Sequence, residues 1–240
     1  MCLIKVLVVF HKNFSPEIYQ IAQEDKLKYL TFYGVNYQQV SHLNVIYEYG
    51  FQIYNPRWQY LKYNEASALY YIYRNKLYEK YDFIGLFQYD MEVLPDCFKD
   101  MEQSFAENPN TICIISFFRW FNIGGQVVIH QDFPPHFESG LKTYNKFFNT
   151  DFTVTEVYKN RTPSNNTFVI GKNMFQKMMS WLETYFINGI PSLMYDDDDC
   201  SFNPGHMIEG LISMFLSLEV YQGAELKYLK VIHNEKLKIN

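Results

Sequence analysis

Hydrophobic and polar positions divide the chain into short apolar runs and longer amphipathic segments. Leu3–Phe10 is almost continuously apolar and rich in valine, and Tyr81–Tyr89 reads YDFIGLFQY. Runs of this length and character are typical of strands buried on both faces of a parallel sheet. Similar or shorter segments predict further strands at Tyr29–Tyr33, Val45–Phe51, Thr111–Phe117, Phe168–Gly171 and Leu226–His233.

Helical spacing marks the segments between these strands. Ser15-Pro16-Glu17 supplies an N-cap, a first-turn proline and a first-turn acid, which predicts a helix through about Tyr29. Apolar residues recur every three or four positions in Glu65–Glu79. Further helices are predicted after Pro95-Asp96, over Asn173–Phe186 and over Gly205–Val220. The alternation predicts an α/β fold, with a mostly parallel central sheet flanked by helices and mixed strands in the second half.

Composition supports one globular unit and excludes some classes of partner. The 240 residues are 48% hydrophobic and 20% charged, so a large core is available. We find no linker and no repeat, and therefore predict a single domain over residues 1–240. The net charge is −5 without a basic stripe, which argues against a nucleic-acid partner.

Cysteine usage and the N-terminal segment bear on location. The four cysteines form no CxxC pair, which favours a reducing compartment over a disulfide framework. The apolar segment MCLIKVLVVF is shorter than a membrane span and lacks the cleavage region of a signal peptide. We therefore expect no membrane span and a cytoplasmic location.

Two acids directly after a buried strand are the first candidate site. Asp90 and Glu92 follow Tyr81–Tyr89, and ligands bind at the carboxyl ends of strands in open α/β sheets. Two such carboxylates suit a hard cation, Mn²⁺ or Mg²⁺, that also contacts phosphates. His233 ends the last predicted strand and can be a third metal ligand. The alternatives are a solvated turn and a histidine that faces solvent.

One block of the sequence resembles a known enzyme family. The segment Asn64–Asn75 reads NEASALYYIYRN and is followed by Tyr81–Leu86. This resembles the E-x-T-A-L-Y-W-I-W-K-N helix and Y-x-x-x-G strand of capsule- and polysaccharide-type glycosyltransferases. Val8–Asn13, the strand ending at Gly34 and the helix Gly205–Leu218 follow in the family's order. The chain is also similar to the capsid-glycan glycosyltransferases of large algal (chlorella) viruses.

The sequence departs from this family at two places. The bacterial enzymes typically carry H-Y-R-R after the strand, whereas this chain has Gln88-Tyr89-Asp90-Met91. The late helix has Glu209-Gly210 in place of Glu-Arg. The acidic triplet instead resembles the D-x-D motif of metal-dependent GT-A enzymes, with Glu92 in place of the second aspartate.

The resemblance implies a GT-A, Rossmann-like domain in which residues 1–117 bind a nucleotide-sugar donor and 118–240 face the acceptor. The loop after the first strand then contacts the nucleotide through His11 and Lys12; the alternative is a solvated loop. Asn64 and Ser67 begin the second helix and can contact the ribose or the phosphates, although capping is the simpler role for Asn64. The implied donor-binding set is His11, Lys12, Asn64, Ser67, Tyr89 and Asp90.

Transfer of a sugar with inversion requires a carboxylate as general base. Glu209, which resembles the acid of the family's late helix, is the first candidate. Asp198 or Asp199, at the end of the acidic run Asp196–Asp199, is the second, and either could instead bind acceptor hydroxyls. The alternatives are a helix-surface glutamate, a solvated acidic loop and a calcium site, although the spacing is not that of a calcium loop.

The sequence therefore predicts a metal-dependent glycosyltransferase that moves a hexose or deoxyhexose from a UDP- or GDP-sugar to a glycan or glycoprotein hydroxyl. It would work in the cytoplasm, or in the host cytoplasm or virion if it is viral. One alternative is a metal-dependent nucleotidyltransferase, but the segment FHKNFSPEIY lacks the glycines of that class. The other is a non-catalytic glycan-binding module on the same fold.

Overall fold

The chain folds around a seven-stranded sheet in a computed structural model that describes residues 2–11, 19, 21–35, 45–60, 63, 65–115, 135–159, 166–188 and 204–237. A separate pair of short strands lies beside this sheet. The described strands are β1 (Ile4–Phe10), β2 (Leu30–Gly34), β3 (Val45–Tyr47), β4 (Phe83–Gln88), β5 (Met91–Val93), β6 (Thr111–Ile115), β7 (Phe168–Gly171), β8 (Glu225–Leu229) and β9 (Val231–His233).

The directions of the strands determine which edge of the sheet carries their carboxyl ends. The sheet order is β3-β2-β1-β4-β7-β6-β8. Every described pairing in this sheet is parallel except the two made by β7, which runs antiparallel to β4 and to β6. The carboxyl ends of the parallel strands therefore meet along one edge, and β7 begins at that same edge.

Helices cover both faces of the sheet. The described α-helices are α1 (Gln23–Tyr29), α2 (Arg57–Tyr60), α3 (Glu65–Arg74), α4 (Cys97–Glu107), α5 (Pro135–Phe148), α6 (Val154–Lys159), α7 (Lys172–Asn188) and α8 (Pro204–Tyr221). One sheet face packs against α3 and α5 to α8, and the other packs against α1, α4 and the β5–β9 pair. None of the helices within the described ranges combines the length and apolar character needed to cross a membrane.

The alternation of side chains in β1 shows why its sequence is apolar throughout. Val6 and Val8 belong to one buried cluster, whereas Leu7 and Val9 belong to the cluster on the opposite face. All four side chains are buried. Each such side chain contributes about 1.5–3 kcal/mol of transfer free energy when it is removed from water. A polar residue at any of these positions would therefore weaken one of the two layers.

The predicted α/β fold, with its mostly parallel sheet between helices, is confirmed. Four predicted elements differ from the structure. The predicted strand Val45–Phe51 ends at Tyr47 and is followed by a 3-10 helix at Glu48–Gly50, and the predicted helix Glu65–Glu79 ends at Arg74. The first helix begins only at Gln23, because Ala22 is extended; residues 12–18 lie outside the described ranges. The predicted strand Leu226–His233 is two strands, because the chain bends at Lys230 and leaves the large sheet to pair with β5.

A close approach between β4 and β7 gives a test of this topology. A Cβ atom on Gly85 would lie 2.4 Å from the backbone oxygen of Phe168 and 2.6 Å from Cγ2 of Val169. We expect Gly85→Ala to lower the free energy of unfolding by about 3 kcal/mol or more, and the melting temperature by roughly 6–12 °C. Thermal unfolding followed by circular dichroism measures this. Gly50→Ala is the control, since a Cβ atom there meets nothing within 4 Å; equal melting temperatures for both variants would contradict the packing.

Candidate active site

The carboxyl ends of β1 and β4 bring two predicted donor-binding segments together. These strands pair in register up to Val9 and Gln88, so the residues that follow each strand leave the sheet side by side. The rings of His11 and Tyr89 are 5.2 Å apart and nearly perpendicular, at 80°. Two residues that are far apart in sequence are thus in contact at the edge where α/β folds bind ligands, although Tyr89 itself is only 5% exposed.

The pairing of β5 with β9 places His233 next to Asp90. Met91 pairs with His233 in this ladder, and the backbone N–H of Asn234 donates to the carbonyl oxygen of Asp90 at 2.8 Å. Nε2 of His233 lies 3.2 Å from Oδ2 of Asp90. The two side chains are 23% and 13% exposed, so a ligand can still reach them from solvent. The bend at Lys230 is what makes this contact possible.

Glu92, the other acid predicted to bind the metal, lies deeper than Asp90, and its part in metal binding stays a prediction. Its side chain is only 4% exposed. The side-chain amide of Asn234 donates a hydrogen bond to Oε2 of Glu92 at 2.6 Å. A buried carboxylate requires such partners, because losing its hydration costs several kcal/mol. Asn234 was not among the predicted site residues, and its only sequence signal is its position directly after His233.

These side chains fit part of a metal site. Neighbouring ligands of an octahedral ion with bonds of about 2.1 Å lie about 3 Å apart, and the oxygen of Asp90 and nitrogen of His233 are 3.2 Å apart. No group of three or more His, Cys, Asp or Glu residues in the described ranges is arranged to hold a metal ion. Asp90 and His233 would supply only two ligands, so an ion here would need its other ligands from phosphates and water, and the predicted metal site stays a prediction.

Two further acids, Glu65 and Glu209, interact with each other, and Glu65 contacts His11. Nδ1 of His11 is 2.9 Å from Oε1 of Glu65, in the first turn of α3. Burial, followed by the negative charge of Glu65, raises the pKa of Glu209 on α8 to about 8. Glu209 is half-buried. This carboxyl group therefore holds its proton at neutral pH and exchanges it in the range where a general acid or base works best.

Glu65 was missed by the sequence reasoning, although it is the glutamate of the E-x-T-A-L-Y match. An acid in the first turn is also what helix capping favours, so the position alone did not indicate a site. Ser67, two residues after Glu65, is fully buried, and its hydroxyl donates to Oε2 of the equally buried Glu48 at 3.0 Å. This bond ties α3 to the turn after β3, and the predicted donor contact of Ser67 stays a prediction.

Four of the predicted site residues lie outside the described part of the chain. They are Lys12 in the loop after β1, Asn64 before α3, and Asp198 and Asp199 in the acidic run. Their predicted roles in donor binding and proton transfer stay predictions.

Comparisons with known proteins establish the fold alone. No protein-family model matches the sequence, and no curated protein sequence matches it. Among solved structures, the apo form of WbbM, a bifunctional glycosyltransferase, is similar to this chain with a TM-score of 0.59 and 14% identity. The match covers 97% of this chain and 45% of that protein. The chain therefore has a fold that a glycosyltransferase also uses, which agrees with the predicted fold; no comparison bears on the viral resemblance.

Proposed function

We propose that this protein is a metal-dependent glycosyltransferase that moves a hexose or deoxyhexose from a UDP- or GDP-sugar to a hydroxyl of a glycan or glycoprotein. The observation that carries the proposal is the contact between Asp90 and His233 beside His11, at the carboxyl edge of the sheet. The fold shared with a glycosyltransferase supports the same conclusion. Glu65 and Glu209 add acid–base groups within the same edge.

Asp90 and His233 would hold Mn²⁺ or Mg²⁺. When bound, such an ion offsets the negative charge of the donor diphosphate and of the nucleoside diphosphate that departs. Nε2 of His233 lies 3.2 Å from Oδ2 of Asp90, a spacing that two neighbouring ligands of one ion would have. The side-chain amide of Asn234 donates a hydrogen bond to Glu92 and fixes this carboxylate behind Asp90 and His233. A second negative charge would therefore lie near the ion.

His11 and Tyr89 would flank the donor. Because Glu65 contacts Nδ1 of His11, the imidazole presents Nε2 as its other polar atom. The edge-to-face packing of His11 against Tyr89 further restricts the ring. We assign Lys12, the next residue along the chain, to a donor phosphate. Asn64 and Ser67, at the beginning of α3, complete the donor side of the proposal.

Glu209 would take the proton from the acceptor hydroxyl. With a pKa of about 8, its ionised form is a stronger base than an ordinary carboxylate. The nearby charge of Glu65 is one of the two causes of that pKa, so Glu65 acts through Glu209. Asp199 is the alternative base in this proposal.

Calorimetry with UDP- and GDP-sugars, with and without Mn²⁺, tests the proposal on the full chain. We expect one donor class to bind at least about tenfold more tightly with the metal, and to be hydrolysed slowly when no acceptor is present. Protein treated with EDTA and then reloaded with Mn²⁺ is the control. Glycan binding that ignores both metal and donor would instead identify a binding module, and release of pyrophosphate from a nucleoside triphosphate would identify a nucleotidyltransferase.

A further inference from the structure

The side-chain amide of Asn166 is a buried polar group that the proposed function does not yet use. The residue is 3% exposed, and its amide oxygen Oδ1 has no hydrogen-bond partner among the residues that the structure describes. Most buried polar side chains in folded proteins do have a partner, because an unpaired one destabilises the fold. A bound molecule that donates a hydrogen bond to this oxygen would account for the exception.

Asn166 lies at the carboxyl edge of the sheet, between the ends of β4 and β6. Strand β7 begins two residues later, and its antiparallel register with β4, continued by two residues, brings Asn166 beside Gln88. Residues that are directly opposite in such a pair have Cα atoms about 5 Å apart. On the other side, the backbone N–H of Ile115 donates to the carbonyl oxygen of Thr167 at 3.4 Å, so the pairing with β6 also extends beyond β7. Asn166 is therefore the neighbour of the segment that leads into Asp90.

The amide of Asn166 faces the layer that contains the proposed base. Phe168 and Ile170 belong to the buried cluster on the side of α3 and α8, whereas Val169 belongs to the cluster on the opposite face. Side chains two residues apart in an extended chain point to the same face. Asn166 therefore points to the side of α3 and α8, and Glu209 lies in the second turn of α8.

The order of the strands indicates which part of the ligand the amide would bind. Strands β1, β4 and β7 are consecutive in the sheet, so His11, Asp90 and Asn166 follow one another along its carboxyl edge. In the proposed function the first two positions take the nucleotide and its diphosphate, which leaves the third for the transferred sugar. An amide oxygen repels the oxygens of a phosphate, but it accepts a hydrogen bond from a hydroxyl group.

We propose that Asn166 is a specificity-determining residue whose Oδ1 accepts a hydrogen bond from a hydroxyl group of the transferred hexose or deoxyhexose. The inference rests on the proposed function and adds to it the residue that recognises the sugar. The amide nitrogen can donate to a neighbouring hydroxyl, so the side chain suits two adjacent hydroxyls of one sugar ring. Because the side chain is almost enclosed, a sugar that lacks this hydroxyl would leave the amide unpaired and would be rejected.

The test compares nucleotide binding by the wild-type chain and by Asn166→Ala, using calorimetry in the presence of Mn²⁺. The probes are UDP, UDP-glucose, UDP-galactose, GDP, GDP-mannose and GDP-fucose. For the nucleotide-sugar that the wild type binds most tightly, we expect the variant to lose affinity by about 10- to 100-fold and to bind the matching free diphosphate unchanged. Thermal unfolding without ligand should be unchanged or occur at a slightly higher temperature, because an unpartnered amide is removed.

Asn173→Ala is the matched control. Asn173 is an exposed asparagine in the first turn of α7, which follows the other end of β7. It should bind every probe as the wild type does.

Three results would overturn this inference alone. They are an unchanged affinity of Asn166→Ala for the nucleotide-sugar, an equal loss in Asn173→Ala, and an equal loss for the free diphosphate. A clearly lower unfolding temperature of Asn166→Ala would identify the amide as structural and would also overturn it. Failure of the wild type to bind any of the probes would overturn both this inference and the proposed function.

Discussion

Replacing Asp90 by alanine should weaken Mn²⁺-dependent donor binding by about 100-fold or more and leave the fold intact. The variant loses one of two proposed metal ligands, and His233 loses the carboxylate that lies 3.2 Å from its Nε2. A metal ion typically contributes several kcal/mol to such a reaction, so turnover should fall by about a thousandfold or more. Calorimetry with the donor and Mn²⁺ measures the first effect, and a donor-hydrolysis assay measures the second.

Asp151→Ala is the control for this experiment, since Asp151 is an exposed aspartate in the loop between α5 and α6. It should bind donor and Mn²⁺ as the wild type does. Circular dichroism should show the same spectrum for all three proteins. Unchanged donor affinity in Asp90→Ala would refute the metal assignment, whatever its effect on turnover.

Replacing Glu209 by glutamine should leave donor binding unchanged and reduce turnover by about 10²- to 10⁴-fold, the range usual for loss of a general base. Wild-type turnover should rise with pH up to about 8, as Glu209 loses its proton, and level off above that value. The residual activity of the variant should lack this rise. A pH–rate profile at saturating donor distinguishes the two proteins.

The raised pKa of Glu209 also predicts how the stability of the protein depends on pH. Because burial raises the pKa of Glu209 above its ordinary value of 4.5, the folded protein binds this proton more tightly than the unfolded chain. The stabilising contribution is complete below pH 4.5 and is lost as the pH rises through about 8. Glu209→Gln keeps a neutral side chain there, so above pH 8 its melting temperature should exceed that of the wild type by a few degrees.

Glu219→Gln is the matched control on the same helix, because Glu219 lies near the far end of α8 and pairs with Lys177. It should lose some stability and keep the wild-type pH–rate profile. Undiminished turnover in Glu209→Gln would remove this residue as the base and leave Asp199 as the candidate to be tested.

Most of the sheet was predictable because its strands are buried on both faces. Val6 and Val8 face one layer while Leu7 and Val9 face the other, so the strand must be apolar throughout, and such a run is easily recognised. Strand β5 was not predictable, since three residues are too few for a period. The bend at Lys230 was also missed, because apolar residues continue on both sides of it.

The site was predictable only where a residue's chemistry and its place at a strand end coincided. Asp90 and His233 met both conditions, and the structure places them in contact. Glu65 and Glu48 did not, because an acid early in a helix or after a short strand has ordinary uses in capping and turns. Glu65 influences Glu209 because α3 packs against α8, which is about 140 residues further along the chain. No local sequence pattern indicates a contact between segments so far apart.

The reversed strand β7 has a consequence for how the protein is made. It joins β4 to β6 and is synthesised more than fifty residues after either of them. Until it leaves the ribosome, β1 to β4 can assemble, but β4 presents a bare apolar edge and β6 has no described neighbour to join. The nascent first half is therefore an aggregation-prone intermediate with an exposed strand edge. Slow translation or a premature stop codon between β6 and β7 would favour aggregation over folding.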